Sequence, residues 1–288
     1  MKTYFFAFFM MAFSYLSQSQ AQENPVKLKQ INIVKTNFRN LKSGEIINKN
    51  FLFKDGKLST ITTSDVTQNF FYNQKGLLDM SVKEKTGSNW KEVINYTYDE
   101  QNRLIKFTKK YDEEGKYVTK TVTFSYVGAR IKAITKKTNS QQTYVEDIEY
   151  LVENGLITRR SSRDRNQQIF NKTEYVYSND NVLRHKGLLG DKSIKTYGFD
   201  DKNSADLLIV KNIFGENYKV IVPLVSFHEE EFNFQSICNN NELSYTTTAA
   251  KDIIKSGKFK YNTLNYPASY SLSEDNGMLK TVKTYIYE

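Results

Sequence analysis

Cysteine is almost absent from this 288-residue chain: Cys238 stands alone, beside two histidines, His185 and His228, and three prolines. One thiol cannot build a disulfide framework, and one Cys with two His cannot furnish a zinc ribbon or an iron–sulfur centre. Thirteen glycines and three prolines are too few for a collagen-like or Pro/Gly-rich disordered chain. Long apolar runs are missing beyond the N-terminus, so no transmembrane helix is expected. What is abundant is aromatic, with 20 Tyr, 19 Phe and one Trp, on a background of 41 Lys and Arg against 32 Asp and Glu and a net charge of +9. Disordered chains lack this aromatic content. The composition is that of a folded, β-prone, basic protein, and it names no activity.

Lys2 is followed by an apolar run from Tyr4 to Leu16 and then by the small and polar stretch SQSQAQ. A short positive segment, a core too short to cross a bilayer and a small-x-small context at Ser19-Gln20-Ala21 predict a signal peptide over 1–21, cleaved after Ala21. No Cys lies near that point to carry a lipid anchor. The expected destination is the periplasm, the cell surface or the medium. In such an oxidising compartment Cys238, next to Ile237, reads as a small buried apolar residue.

An aromatic-x-aromatic step recurs along the rest of the chain: Phe51/Phe53, Phe70/Tyr72, Tyr96/Tyr98, Phe124/Tyr126, Tyr175/Tyr177, Tyr197/Phe199, Phe232/Phe234, Phe259/Tyr261 and Tyr285/Tyr287, with Ile148/Tyr150 as an aliphatic-aromatic version. The mean period is about 26 residues. A polar turn and a Leu or Ile follow most steps, as in FKDGKL, YNQKGL, YDEQNRL and YLVENGL. Asn, Asp and Gly gather there because tight turns need positive φ or side-chain bonds to the backbone. A second polar break falls midway through each period, as in KTGSN (85–89) and DEEGK (112–116). Two turns per period make the unit a β-hairpin, and side chains two apart on a strand share a face. The fold class expected is all-β: repeated antiparallel hairpins forming one long curved meander sheet, an open spiral or a barrel, with the aromatics as a packing ladder.

These residues resemble the YD-repeat (Rhs-like) family, whose signature is Tyr-x-Tyr-Asp, a turn and a Leu. YTYDEQNRL (96–104) is the best copy, followed by YGFDD (197–201) and FKDGKL. The resemblance covers roughly 50–288 and is degenerate. It implies a β-sheet spiral or shell on a secreted or surface protein, with carbohydrate binding credited to some members. A similar pattern occurs in secreted Bacteroidetes proteins of unassigned function with a porin-like β-fold. No toxin-like domain follows the repeats, so toxin delivery is not implied.

Residues 22–288 read as one repeat domain. KNIFGENYKVIVPLV, within the long interval after Phe199, is expected to be a buried strand closing the sheet, with Pro223 at its end or edge. No segment shows convincing helical spacing over eleven residues, the nearest being AAKDIIKSG (249–257). The expected count is about 16–20 strands, a porin-like number.

Catalytic chemistry finds no foothold, and no catalytic residue, metal site or cofactor is expected. Neither histidine has a nucleophile elbow nearby, and the zincin-like start at His228-Glu229 fails because Phe232 replaces the second His. DDKNSAD (200–206) departs from an EF-hand and reads as an inter-strand turn. Two features suit a ligand. RRSSRDR (159–165) brings together Arg159, Arg160, Arg163 and Arg165, able to clamp phosphate or sulfate on lipopolysaccharide, acidic glycan or extracellular DNA, or else a solvated hairpin tip. Trp90 could stack on a sugar or simply pack a neighbouring hairpin. The reading is a non-enzymatic scaffold or binding module for acidic polysaccharide or lipopolysaccharide, with no specific nucleic-acid partner. The alternative is an outer-membrane β-barrel. N-terminal sequencing of exported protein should begin at Gln22; retention of Met1 would remove the signal-peptide reading.

Overall fold

In the computed structural model the described residues are 26–37, 45–113, 115–139, 143–164, 166–190, 192–229, 232–248, 250–274 and 279–288, so the signal segment and Arg165 lie outside them. The strands are β1 (Leu28–Asn37), β2 (Glu45–Lys54), β3 (Lys57–Thr62), β4 (Val66–Tyr72), β5 (Leu78–Lys85), β6 (Lys91–Tyr98), β7 (Leu104–Glu113), β8 (Lys116–Val127) and β9 (Arg130–Thr138). They continue as β10 (Thr143–Glu153), β11 (Leu156–Arg163), β12 (Ile169–Ser178), β13 (Asn181–Leu189), β14 (Ile194–Asn203), β15 (Asn240–Thr247), β16 (Ala250–Tyr261), β17 (Pro267–Glu274) and β18 (Leu279–Tyr287). Each pairs antiparallel with the next, and β1 pairs with both β2 and β18, so the meander closes into an 18-stranded barrel. Closure removes every sheet edge.

Every strand step of the repeat falls on an even-numbered strand. The tight turns that follow lie at one end of the barrel. Asp55-Gly56, Asn154-Gly155 and Asn179-Asp180 hold positive φ at both positions, which is the two-residue hairpin turn their sequences specify. The longer turns are organised by the residue after the second aromatic. Asp99 Oδ1 accepts from the N–H groups of Gln101 (3.0 Å) and Arg103 (2.9 Å), and Asp99 Oδ2 accepts from Arg103 Nε at 2.7 Å. Asn73 and Asn262 accept backbone N–H groups in the same way. The Asp of the Tyr-x-Tyr-Asp step is therefore a turn cap.

Both members of each step face inward, in two roles. The second is a latch between hairpins: the hydroxyls of Tyr72, Tyr98, Tyr126, Tyr177 and Tyr287 donate to the carbonyls of Leu58, Leu78, Leu104, Ile157 and Pro267 at 2.7–2.8 Å. Burial raises the pKa of each of these phenols, which keeps it a donor. The first member packs toward the barrel axis. On β10 the pairing sets Tyr150 in this first position and Val152 in the second, opposite Ile157, so the repeat there is offset from the Ile148/Tyr150 reading.

What fills the axis overturns the expectation for the long interval. KNIFGENYKVIVPLV is not a strand: α1 (Ala205–Phe214) and α2 (Tyr218–Glu229) occupy it, with Pro223 inside α2. Ser204, whose Oγ accepts the Leu207 N–H at 3.2 Å, and Asp206 in the first turn start α1. Conversely, AAKDIIKSG lies largely within β16, and DDKNSAD runs from the end of β14 into α1. Phe232/Phe234 is no strand step; Phe234 opens a short 3-10 turn, Phe234–Ile237, and both rings are buried. β-branched residues in the run mimic a strand, yet inside a closed barrel an extra strand would have no edge to pair with. A helix satisfies its own backbone.

The plug leaves β14 and returns to β15 at the tight-turn end, where the turns bolt it down. Asn217 Nδ2 donates to the carbonyls of Gln101 and Asn102 at 3.0 Å, Asn239 Nδ2 to Asn179 O at 3.1 Å, and Lys219 pairs with Asp180 at 2.8 Å. The ladder then closes on the helices. Tyr96 meets Phe214 edge-on at 6.4 Å, Tyr150 stacks on Phe227 at 5.9 Å, and Tyr175 packs against Phe227 and Phe234 at 5.6 and 5.0 Å. Phe214 is fully buried. Phe214→Ala should cost about 3–5 kcal/mol in urea unfolding, whereas Tyr98→Phe, which removes one latch, should cost about 1 kcal/mol; equal costs would contradict the plug-centred core.

Candidate functional site

The plug does not fill the barrel. Beside α1 lie two cavities of about 470 and 410 Å³ that share Asp206, Asn233 and Lys283, a volume in the range of small-molecule sites. Strand pairing explains what lines them. The inward positions on either side of the aromatics carry lysine: Lys49 and Lys283 both lie opposite Ile33, Lys283 also lies opposite Tyr270, and Lys83 sits between Gln68 and Glu92. Lys109, Lys120 and Lys137 form one cross-strand row on β7, β8 and β9. Like charges directly opposite one another destabilise a sheet, so the row stands only with compensation. Lys109 pairs with Glu92 at 2.9 Å, Lys120 Nζ donates to the His228 carbonyl at the C-terminal turn of α2, and Lys137 lies 5.9 Å from the Tyr111 ring centre. Lys283 sits 5.5 Å from the Tyr270 ring centre and Lys49 5.0 Å from that of Phe51. Phe51, Phe70, Phe259 and Tyr270 supply aromatic lining, and Asp206 and Glu242 are acids on the cavity walls. The site can take an anionic group on lysine and an apolar or sugar face on the rings.

Sequence reasoning placed binding elsewhere. RRSSRDR is only partly a hairpin tip: Asp164 caps the turn after β11, whereas the first five residues, Arg159 to Arg163, lie on β11, where alternation splits them. Arg159 pairs with Glu174 at 3.2 Å, Arg163 lies 4.0 Å from Glu149, and Arg160 turns the other way, 5.3 Å from the Phe227 ring of the plug. Arg165 lies outside the described residues. Trp90 Nε1 donates to the Asp112 carbonyl at 3.3 Å, tying one hairpin to the next, and Trp90 also lines a shallow outer cleft. The lysine belt is not visible along the chain because its members are scattered over six strands; lysine at the position two before an inward aromatic, as in Lys49/Phe51 and Lys283/Tyr285, is the available signal.

His228, the start of the failed zincin-like pattern, is buried. Its Nε2 lies 3.0 Å from the Tyr150 hydroxyl and its Nδ1 3.3 Å from Thr135 Oγ1, with the rings of Phe107 and Phe124 about it at 6.0 and 5.9 Å. Burial, then the charges of Lys120 and Arg160, lower its pKa from 6.5 to about 3. Cys238 is buried too, accepting the Val182 N–H at 3.3 Å, and burial raises its thiol pKa to about 12, so it is an inert packing group. Among the described residues no cluster of His, Cys, Asp and Glu has the makings of a metal site.

No protein-family model matches the chain, and no curated protein matches it. Among solved structures, a porin-like protein from Bacteroides uniformis is similar at 12% identity over 91% of this chain and 98% of that one, with a TM-score of 0.47. A porin-like protein from Bacteroides vulgatus is similar at 9% identity over 91% and 99%, with a TM-score of 0.40. A TcdB2–TccC3–TEV structure is similar at 14% identity over 55% of this chain and 10% of that one, with a TM-score of 0.34. At these values the similarity concerns the course of the chain and brings no activity with it.

The His228 geometry sets a pH dependence. The folded pKa lies below the unfolded one, so the unfolded chain binds the extra proton first. The associated stability is complete above pH 6.5 and is lost as pH falls from 6.5 toward 3, by about 1.4 kcal/mol per pH unit at most. His228→Gln should remove that part of the slope in urea titrations at pH 4 to 7, and an unchanged slope would exclude His228 as its source.

Proposed function

We propose that this protein is an exported, non-catalytic binding module, a water-facing barrel that takes an acidic saccharide into the lysine-lined cavity beside its plug. The observation that carries the reading is the inward lysine belt around aromatic faces. In a partly enclosed, low-dielectric space such a belt creates a positive potential, and ring faces of Phe and Tyr suit the apolar face of a sugar. In this reading Lys49, Lys83 and Lys283, rather than the dispersed Arg159, Arg160 and Arg163, are the groups that would meet an acidic polysaccharide.

The outer wall supports a protein standing in water. Outward positions on β9 and β10 hold ion pairs, Lys132 with Asp147 at 3.1 Å and Arg130, the first residue of β9, with Glu149 at 3.4 Å. Facing lipid, each Lys or Arg near the midplane would cost about 2–4 kcal/mol. Eighteen strands and closure also fit the outer-membrane alternative, and no helix among the described residues is long and apolar enough to cross a membrane, which says nothing of a barrel. The charged wall is what favours the water-facing reading; retention in the pellet after carbonate extraction would overturn it.

Calorimetry with trigalacturonate, and with galactotriose as the neutral counterpart, tests the cavity. Lys83→Glu with Lys283→Glu should weaken trigalacturonate binding at least about tenfold, since bonds to charged groups contribute about 1.5–3 kcal/mol. Arg159→Ser with Arg163→Ser should leave it unchanged. Loss of binding in the arginine variant and not in the lysine variant would move the site to the outer wall.

A further inference from the structure

The cavities beside α1 have a floor. α1 lies across the tight-turn mouth of the barrel. At its start Asn203 donates its N–H to Asn265 O and its Nδ2 to Leu264 O, both at 3.1 Å, in the β16–β17 turn, and at its end Gly215 packs against Leu77 of the β4–β5 turn. Ten helical residues cover about 15 Å of that opening. Amides close the gap between α1 and β15: Asn241 Nδ2 donates to Asn203 O and Asn240 Nδ2 to Lys202 O, both at 3.0 Å, and the Tyr261 hydroxyl donates to Asp200. α2 then descends from Lys219, held at the β12–β13 turn by Asp180, to His228, whose carbonyl meets Lys120 seven residues before the end of β8 at Val127. Among the described residues every segment that enters the interior comes from the tight-turn end, so a ligand enters from the far end.

Strand direction sets the depth of each wall residue. On β2 Phe53 is nearest the tight turn, Phe51 follows, and Lys49 lies about 7 Å beyond Phe51 along the strand. The order is the same on β5, Leu78 then Lys83, and on β7, Leu104 then Lys109; on β18, which runs toward the turns, Lys283 precedes Tyr285 and Tyr287. Leu58, Ile209 and Val210 are thus the floor, the rings of Phe51 and Phe70 the lower wall and the lysines a collar above them. The acids of the walls are Glu92, which Lys109 holds at 2.9 Å, Glu242, and Asp206 in the first turn of α1, at floor level.

The geometry points to end-on capture: the cavity takes the terminus of a linear acidic saccharide and not a stretch from its middle. The inference rests on the acidic-saccharide reading above and specifies how such a chain is held. A cavity inside a closed sheet has no open side along which the middle of a chain could lie, and the plug denies a threaded chain its exit. The terminal unit therefore goes deepest, with its ring face on Phe51 and Phe70 and its hydroxyls toward Asp206 and Asn233. A carboxylate is repelled by Asp206 at that depth, so the acidic groups stay higher, where the lysine collar meets those of the following units.

Calorimetry with the galacturonate trimer, hexamer and dodecamer and with polygalacturonate tests it on the unaltered protein. The two ends of a saccharide chain differ chemically, so one protein should bind per chain at every length. A number of proteins per chain that rises with length would overturn end-on capture and leave the acidic-saccharide reading standing. Ile209→Trp fills the floor and should weaken trimer and dodecamer alike, by about tenfold or more, the usual cost of crowding a filled site. Unchanged near-ultraviolet circular dichroism would show that the variant is folded, and undiminished binding by the folded variant would overturn the inference. No binding of the trimer at all, or binding unmoved by Lys83→Glu with Lys283→Glu, would instead remove the acidic-saccharide reading and this inference with it.

Discussion

A sheet that closes on itself has no edge, and that constraint governs the rest of the molecule. Once β18 has paired with β1, every strand has both neighbours and the inward aromatics face a space too wide for them to fill. Whatever buries those rings must bring its own backbone hydrogen bonds, because no strand partner is left. The helices between β14 and β15 meet that demand. Their apolar residues, strand-like in sequence, become a core that Tyr96, Tyr150 and Tyr175 close upon, and the plug divides the interior into a packed part and a lysine-lined part.

The repeat is the device that makes closure possible. The fullest periods carry one inward aromatic for the plug, one inward Tyr whose hydroxyl latches the preceding hairpin, and one Asp or Asn that caps the turn. Three residues of a Tyr-x-Tyr-Asp step thus serve three neighbours in space: the axis, the previous strand and the turn itself. The resemblance to YD-repeat sequences has this physical content in YTYDEQNRL, where Arg103 bonds Asp99 and lies over the Tyr126 ring of the next hairpin at 4.5 Å. The same turns later hold the plug, through Asn102, Asn179 and Asp180. Turn chemistry is therefore structural twice over.

Much of this was legible because hairpins are local. The Asp-Gly and Asn-Gly turns, the inward parity of Phe70 and Tyr72 or Tyr96 and Tyr98, and a strand number near that found follow from neighbours along the chain. The plug was illegible by the same logic. VIVPLV has the residues of a strand, and only its surroundings exclude one. The candidate site fared worst: an arginine run looked like a clamp because four charges are adjacent in sequence, yet strand alternation sends Arg159 and Arg160 to opposite faces. Lys109, Lys120 and Lys137 are far apart in sequence and opposite one another in the sheet.

The sequence by itself determined the hairpin unit, the face each aromatic takes and the chemistry of the turns, since all three depend on interactions within a few residues. Tertiary structure alone decided that the meander closes, that the interrupting segment is helical and that positive charge gathers inside. Those outcomes depend on register summed over eighteen strands and on the loss of every free edge. No single period contains either.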